Sequence, residues 1–220
     1  MAGELQDIPL FPLGAVVLFP GMALPLHVFE ERYKQMVGRC LATNEGFGVV
    51  LIREGREVGA PAEPFEVGTV ARIASVERLP DGRMNLVTVG TRRFRCVEHV
   101  QVEPYRIARV EWLDDPPAGD EIGALAGEVR AAVEEYLQAV YALAERPRRA
   151  IEFPDDVALL SFQVGAVLQI APQERQRLLE TTATDARLRQ ELAYLRRETR
   201  LLQLLLSRRD SGNAGKFSRN

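Results

Sequence analysis

From Ile8 to Phe29 this chain lacks any formally charged side chain, a run of 22 residues reading IPLFPLGAVVLFPGMALPLHVF. Other residue types are scarce throughout. The 220 residues hold two cysteines, two histidines, one tryptophan and two lysines (Lys34 and Lys216), against 26 arginines. Cys40 and Cys96 stand apart without CxxC spacing or a neighbouring histidine pair, so neither a disulfide framework nor a zinc site is suggested. A net charge of −3 argues against a protein that holds nucleic acid by bulk electrostatics. No Lys or Arg precedes the apolar run, whereas Glu4, Gln6 and Asp7 do, so it does not read as a signal peptide.

A transmembrane helix is the remaining bland explanation of the run, and it fails on magnitudes. Twelve Leu, Ile, Val and Phe residues, at about 0.3–0.6 kcal/mol each, favour insertion by roughly 4–7 kcal/mol. Pro12, Pro20 and Pro25 would lie inside that helix and cost about 3 kcal/mol apiece. The segment is therefore expected to form short buried strands with prolines at their ends and turns. A soluble, cytoplasmic protein with no membrane partner is the expectation.

Helical spacing follows at once, with Phe29, Tyr33, Met36, Val37, Cys40 and Leu41 on one face. Phe47–Ile52 reads as a strand, closed by the turn-like EGREVG. Val67–Leu79 and Arg83–Val89 flank Pro80-Asp81-Gly82 as a hairpin, and Thr91–Val102 and Tyr105–Leu113 supply further strands. The character changes at Asp114-Asp115-Pro116-Pro117-Ala118-Gly119. Beyond it come a helix from Ile122 to Val140, one over Val157–Ile170 capped by Asp155 or Asp156, one over PQERQRLLE, and a leucine stripe from Leu188 to Leu206. The expected division is a β-rich part at 1–115, a helical part at 120–207 and a disordered tail at 208–220.

In this order, the motifs PLFPL (9–13), LFPG (18–21) and PLHVFEERY (25–33) resemble the N-terminal substrate-binding domain of the Lon protease family. So do Gly68-Thr69-Val70-Ala71, Asp81-Gly82, Gly90-Thr91-Arg92-Arg93-Phe94, LLET at 178–181 and Arg187-Leu188. The resemblance implies an α+β fold: an N-terminal PUA-like β pseudo-barrel with one helix, followed by a C-terminal helical bundle. It implies a stand-alone, non-enzymatic module without cofactor or metal, binding unfolded or client polypeptide for a protease or chaperone in trans. Full Lon proteases continue into ATPase and Ser-Lys protease domains. This sequence has no GxxxxGK[ST] loop, since Gly212-Asn213-Ala214-Gly215-Lys216-Phe217 is too short and lacks Ser or Thr after Lys.

From the resembling motifs, a cleft between barrel and bundle is expected to be lined by Phe19, Leu24, Phe29, Arg32, Tyr33, Arg93 and Phe94. The competing reading of the apolar run is that it builds only core. His27 and His99 show no nucleophile–histidine–acid arrangement, and Asp155-Asp156 reads as a helix cap rather than an acid/base pair. Arg92, Arg93 and Arg95 around Phe94 raise an alternative, an RNA-binding PUA-like module. Their alternation instead fits the outer face of a half-buried strand. Leu188–Leu206 is expected to pack inside the bundle rather than to dimerise. The oligomeric state stays open.

Overall fold

The computed structural model describes residues 5–55, 62–117, 119, 122–148 and 151–217. Their order is β1 (Gln6–Leu13), β2 (Ala23–Val28), α1 (Glu31–Thr43), β3 (Phe47–Glu54), β4 (Glu63–Arg78), β5 (Met84–Gln101), β6 (Ile107–Trp112), α2 (Ile122–Leu143), α3 (Val157–Val167), α4 (Pro172–Glu180) and α5 (Thr184–Phe217). The charge-free run becomes β1, a loop and β2, with prolines where a missing N–H is tolerated. Among the described residues no helix is long and apolar enough to cross a membrane. Part of the expected EGREVG turn lies outside the described residues.

The six strands form one mixed sheet in the order β2-β5-β4-β3-β1-β6, and β6 also pairs with β5. The second pairing closes β5, β4, β3, β1 and β6 into a ring. Two expected strands, over 83–89 and 91–102, are one continuous β5 of 18 residues. Its first half carries β2 (Ala23↔Val89 to Val28↔Met84) and its second half carries β6 (Phe94↔Trp112). Register shifts in the β4–β5 ladder give the bending that so long a strand needs.

Three apolar clusters hold the fold. One lies within the ring, where Ile8, Leu10, Val50, Ala108 and Val110 surround Phe94. A second joins α1 to the sheet through Tyr33, Met36, Val37 and Cys40 against Phe11, Leu24, Val28, Phe47 and Leu86. The largest joins sheet to helices: Val17, Phe19, Leu51 and Val67 meet Val129, Val133, Tyr136, Leu160, Leu178 and Leu188. Asp156 caps α3, accepting from the Leu159 N–H at 2.8 Å. Pro172 opens α4, whose Glu174 accepts from the Ala171 N–H.

The face expected for α1 needs correcting at two positions. Phe29 precedes α1 and is half exposed, and Leu41 sits on the helix's outer side. The backbone of α5 runs to Phe217, past position 207. Elongating an existing helix needs no new nucleus, and Gly212 and Gly215 each cost only about 1 kcal/mol. Along the leucine stripe, Leu188, Leu192 and Leu195 are buried and Leu202 packs against the same core, while Leu201, Leu204 and Leu205, which lie off the stripe, are exposed.

Candidate functional site

An open pocket of about 230 Å³ lies beside β2. Its walls come from the end of β1 (Phe11, Leu13), the loop after it (Val16), β2 from Leu24 to Val28, and Phe29, Glu30 and Tyr33 leading into α1. It gathers three of the seven expected site residues: Leu24, Phe29 and Tyr33. Arg32 is not one of its walls but contacts two of them, lying over the Tyr33 ring at 4.5 Å and pairing with Glu30 at 2.9 Å. Phe29 offers the pocket an exposed aromatic ring, while Leu24 and Tyr33 are almost wholly covered. A second depression of about 500 Å³ adjoins it across β2, β4 and β5, with Pro25, Leu26, His27, Val76, Glu77, Asn85 and Val87 among its walls. His27 Nδ1 lies 2.8 Å from Asn85 Oδ1, and Asn85 Nδ2 donates to Glu77 at 2.8 Å, a polar rung that ties β2 to the sheet.

The strand geometry around this pocket is unusual. β2 ends the strand order and pairs with β5 alone among the described residues. β1 pairs with β6 through Gln6–Pro9 and with β3 through Leu10–Leu13, and the Leu10 N–H still donates to the Arg106 carbonyl at 2.8 Å, so among the described residues only Phe11–Leu13 lack a strand on the other side. The pocket is thus flanked by two strand edges.

The other three expected residues lie elsewhere, with no free surface. Phe94 fills the ring interior; a Cβ on Gly68 would come within 2.7 Å of its ring and 2.4 Å of the Val49 carbonyl oxygen. Phe19 is fully buried at the junction of sheet and helices, where α3 approaches so closely that a Cβ on Gly165 would lie 2.8 Å from its ring. Arg93 does not face solvent as strand alternation suggests, because the helices cover that face. It donates to the Leu179 and Thr181 carbonyls at 2.6 and 3.0 Å and pairs closely with Asp115.

Arg187 from α5 meets the same carboxylate at 2.6 Å, and Thr184 donates to it at 2.9 Å. The Phe162 ring lies 4.1 Å from the Arg187 guanidinium carbon and 5.2 Å from that of Arg93. Burial lowers the Arg93 pKa to about 10, Asp115 opposing, so the group stays charged at neutral pH. Arg187 Nε donates to Ser161 Oγ at 2.7 Å, and Ser161 donates to Glu191 Oε1 at 2.8 Å. Burial raises the Glu191 pKa well above its ordinary value, opposed by Ser161 and Arg187. This cluster locks the two halves together. In sequence Asp115 looked like a linker acid and Arg187 like part of a motif, and no short-range signal joins residues so far apart.

The arginines behind the RNA alternative are engaged. Arg92 holds Asp114 at 2.9 Å and lies over Trp112 at 4.7 Å, and Arg95 reaches Glu111 at 3.5 Å. Cys40 is buried, which pushes its thiol up to about 11, far from a thiolate at neutral pH. Burial lowers the pKa of His99. Among the described residues no three His, Cys, Asp or Glu side chains gather as metal ligands. The pocket's unforeseen walls, Phe11, Leu13, Val16, residues 25–28 and Glu30, had one signal in the sequence. A proline within a strand pattern marks an edge.

Comparison with known proteins agrees with the motifs. A family model described as the ATP-dependent protease La (LON) substrate-binding domain matches residues 7–197. The Lon protease of Roseiflexus castenholzii is 30% identical over 90% of this chain and 25% of its own length. Lon protease 2 of Myxococcus xanthus is 30% identical over 97% of this chain and 26% of its own. The chain therefore spans about a quarter of the length of these curated relatives. A crystal structure of a Lon N-terminal domain protein from Xanthomonas campestris is 31% identical, with a TM-score of 0.63 over 86% of this chain and 98% of that one. The N-terminal domain of Mycobacterium avium complex Lon protease, at 20% identity and a TM-score of 0.67, shares the fold.

Proposed function

The chain belongs to the family of Lon substrate-binding domains, and from that premise we propose that it is a non-enzymatic recognition module for unfolded or extended client polypeptide. The matched region is the substrate-binding one, which makes substrate recognition the reading common to chain and family. A protease or chaperone acting in trans would take the client onward. Within the same proposal, the closed strand ring stands for the PUA-like pseudo-barrel and helices α2–α5 for the bundle. The engaged arginines favour this reading over RNA, because phosphate recognition needs available cations.

One observation carries the proposal: the apolar pocket at β2 that gathers Leu24, Phe29 and Tyr33. Unfolded chains display apolar side chains and unpaired backbone, and this surface offers counterparts to both. The test compares a fluorescently labelled protein kept unfolded by reduction and alkylation with its native form. The chain should retain the unfolded form and not the native one. Phe29→Asp should weaken retention at least about fivefold, a loss of roughly 1 kcal/mol, with no change in thermal unfolding. Failure to discriminate unfolded from native overturns the reading.

A further inference from the structure

The ladder between β2 and β5 shows which backbone groups of β2 are committed. The Gly90 N–H donates to the Met22 carbonyl at 2.9 Å, on the same register that pairs Leu24 with Thr88, Leu26 with Leu86 and Val28 with Met84. In an antiparallel pair, bonded and non-bonded positions alternate. The backbone groups of Leu24, Leu26 and Val28 therefore face β5, and those of Ala23, Pro25 and His27 face away from it. Pro25 sits where its missing N–H costs the ladder nothing. Among the described residues, three carbonyls and two N–H groups are left along one edge, at the spacing of a strand.

That edge borders the 230 Å³ pocket. Such a space is below the roughly 300–1,000 Å³ that encloses a drug-sized ligand, and suits an apolar side chain carried by a backbone. Charges near it are answered within the chain: Glu30 on its wall pairs with Arg32, Glu31 with Lys34 and Asp81 with Arg83, while Glu77 across β2 accepts from Asn85. A rim of paired charges around apolar walls complements an uncharged segment and disfavours a charged one.

Resting on the client-binding reading above, we infer that β2 receives an uncharged, apolar, extended client segment as an added strand. Its backbone bonds to Ala23, Pro25 and His27, and a side chain occupies the pocket. In this mode the backbone supplies affinity without regard to sequence, while the pocket asks only that one side chain be apolar. A recogniser of many different unfolded chains needs that combination.

The experiment uses the full chain and a labelled, end-capped octapeptide of alternating leucine and serine. Two further peptides carry N-methyl groups on the leucines alone or on the serines alone, leaving side chains intact. Methylation in one register should weaken binding at least tenfold and in the other less than twofold, because an added strand bonds through alternate residues. Amide hydrogen exchange should slow at Ala23 and His27 when the unmethylated peptide is bound. Equal effects of the two methylation patterns, or protection confined to another strand, would overturn the proposal. So would a concentration-dependent dimer that pairs β2 with β2 and excludes the peptide. If the octapeptide does not bind while the alkylated unfolded protein does, strand addition falls and client recognition stands; if neither binds, both fall.

Discussion

Glu191 combines complete burial with incomplete bonding. Ser161 satisfies one carboxylate oxygen, and Oε2 has no hydrogen-bond partner among the described residues. Burial raises the carboxyl pKa in the folded chain, so the folded state holds its proton to higher pH than the unfolded state. The stabilising contribution is therefore full below the unfolded value, near 4.5, and is lost as pH rises through the folded one. Glu191→Gln keeps an acceptor for Ser161 and removes the titration. Urea unfolding should show the variant gaining stability relative to the parent between pH 5 and pH 8, with a flatter dependence. Nothing in the local sequence (LRQELAYL) marks this residue, because its environment is assembled from α3 and α5.

At the scale of elements, β4 and β3 pass so closely beside Phe94 that the side chain at Gly68 must be absent. The atoms nearest an added Cβ include the Val49 carbonyl, which is backbone and cannot swing aside. Gly68→Ala should cost about 1–3 kcal/mol, read by chemical denaturation. The elements themselves were largely legible. Periodicity located α1, α2 and the start of α5, Pro172 located α4, and Asp155-Asp156 before an apolar stretch located α3, with Asp156 as the cap. Pro-Asp-Gly located the turn between β4 and β5. Faces were less legible. Arg93 follows an alternation that points outward, yet its outside is the inside of the helical layer, and a pattern of period two cannot say what covers a face. The same limit separated the expected cleft residues. Phe19 and Phe94 are apolar motif residues used as core, whereas Phe29, from the same motifs, is open.

For the whole molecule, the composition break at 114–119 reads as a domain boundary, but the two sides share one core. Val17, Phe19, Leu51 and Val67 are buried against helices, each worth about 1.5–3 kcal/mol if exposed. A fragment of residues 1–115 should therefore bind a hydrophobic dye strongly and unfold at least 10 °C below the full chain. A fragment matching it in melting temperature would show the halves to be independent. Asp115, on the apparent linker, answers Arg93 from one side and Arg187 from the other. For anyone recombining relatives of this family, the hyphen between the halves is a shared letter. A crossover anywhere between positions 93 and 187 separates Asp115 from one of its two arginines, so a chimera keeps this junction only where the other parent supplies a matching side chain.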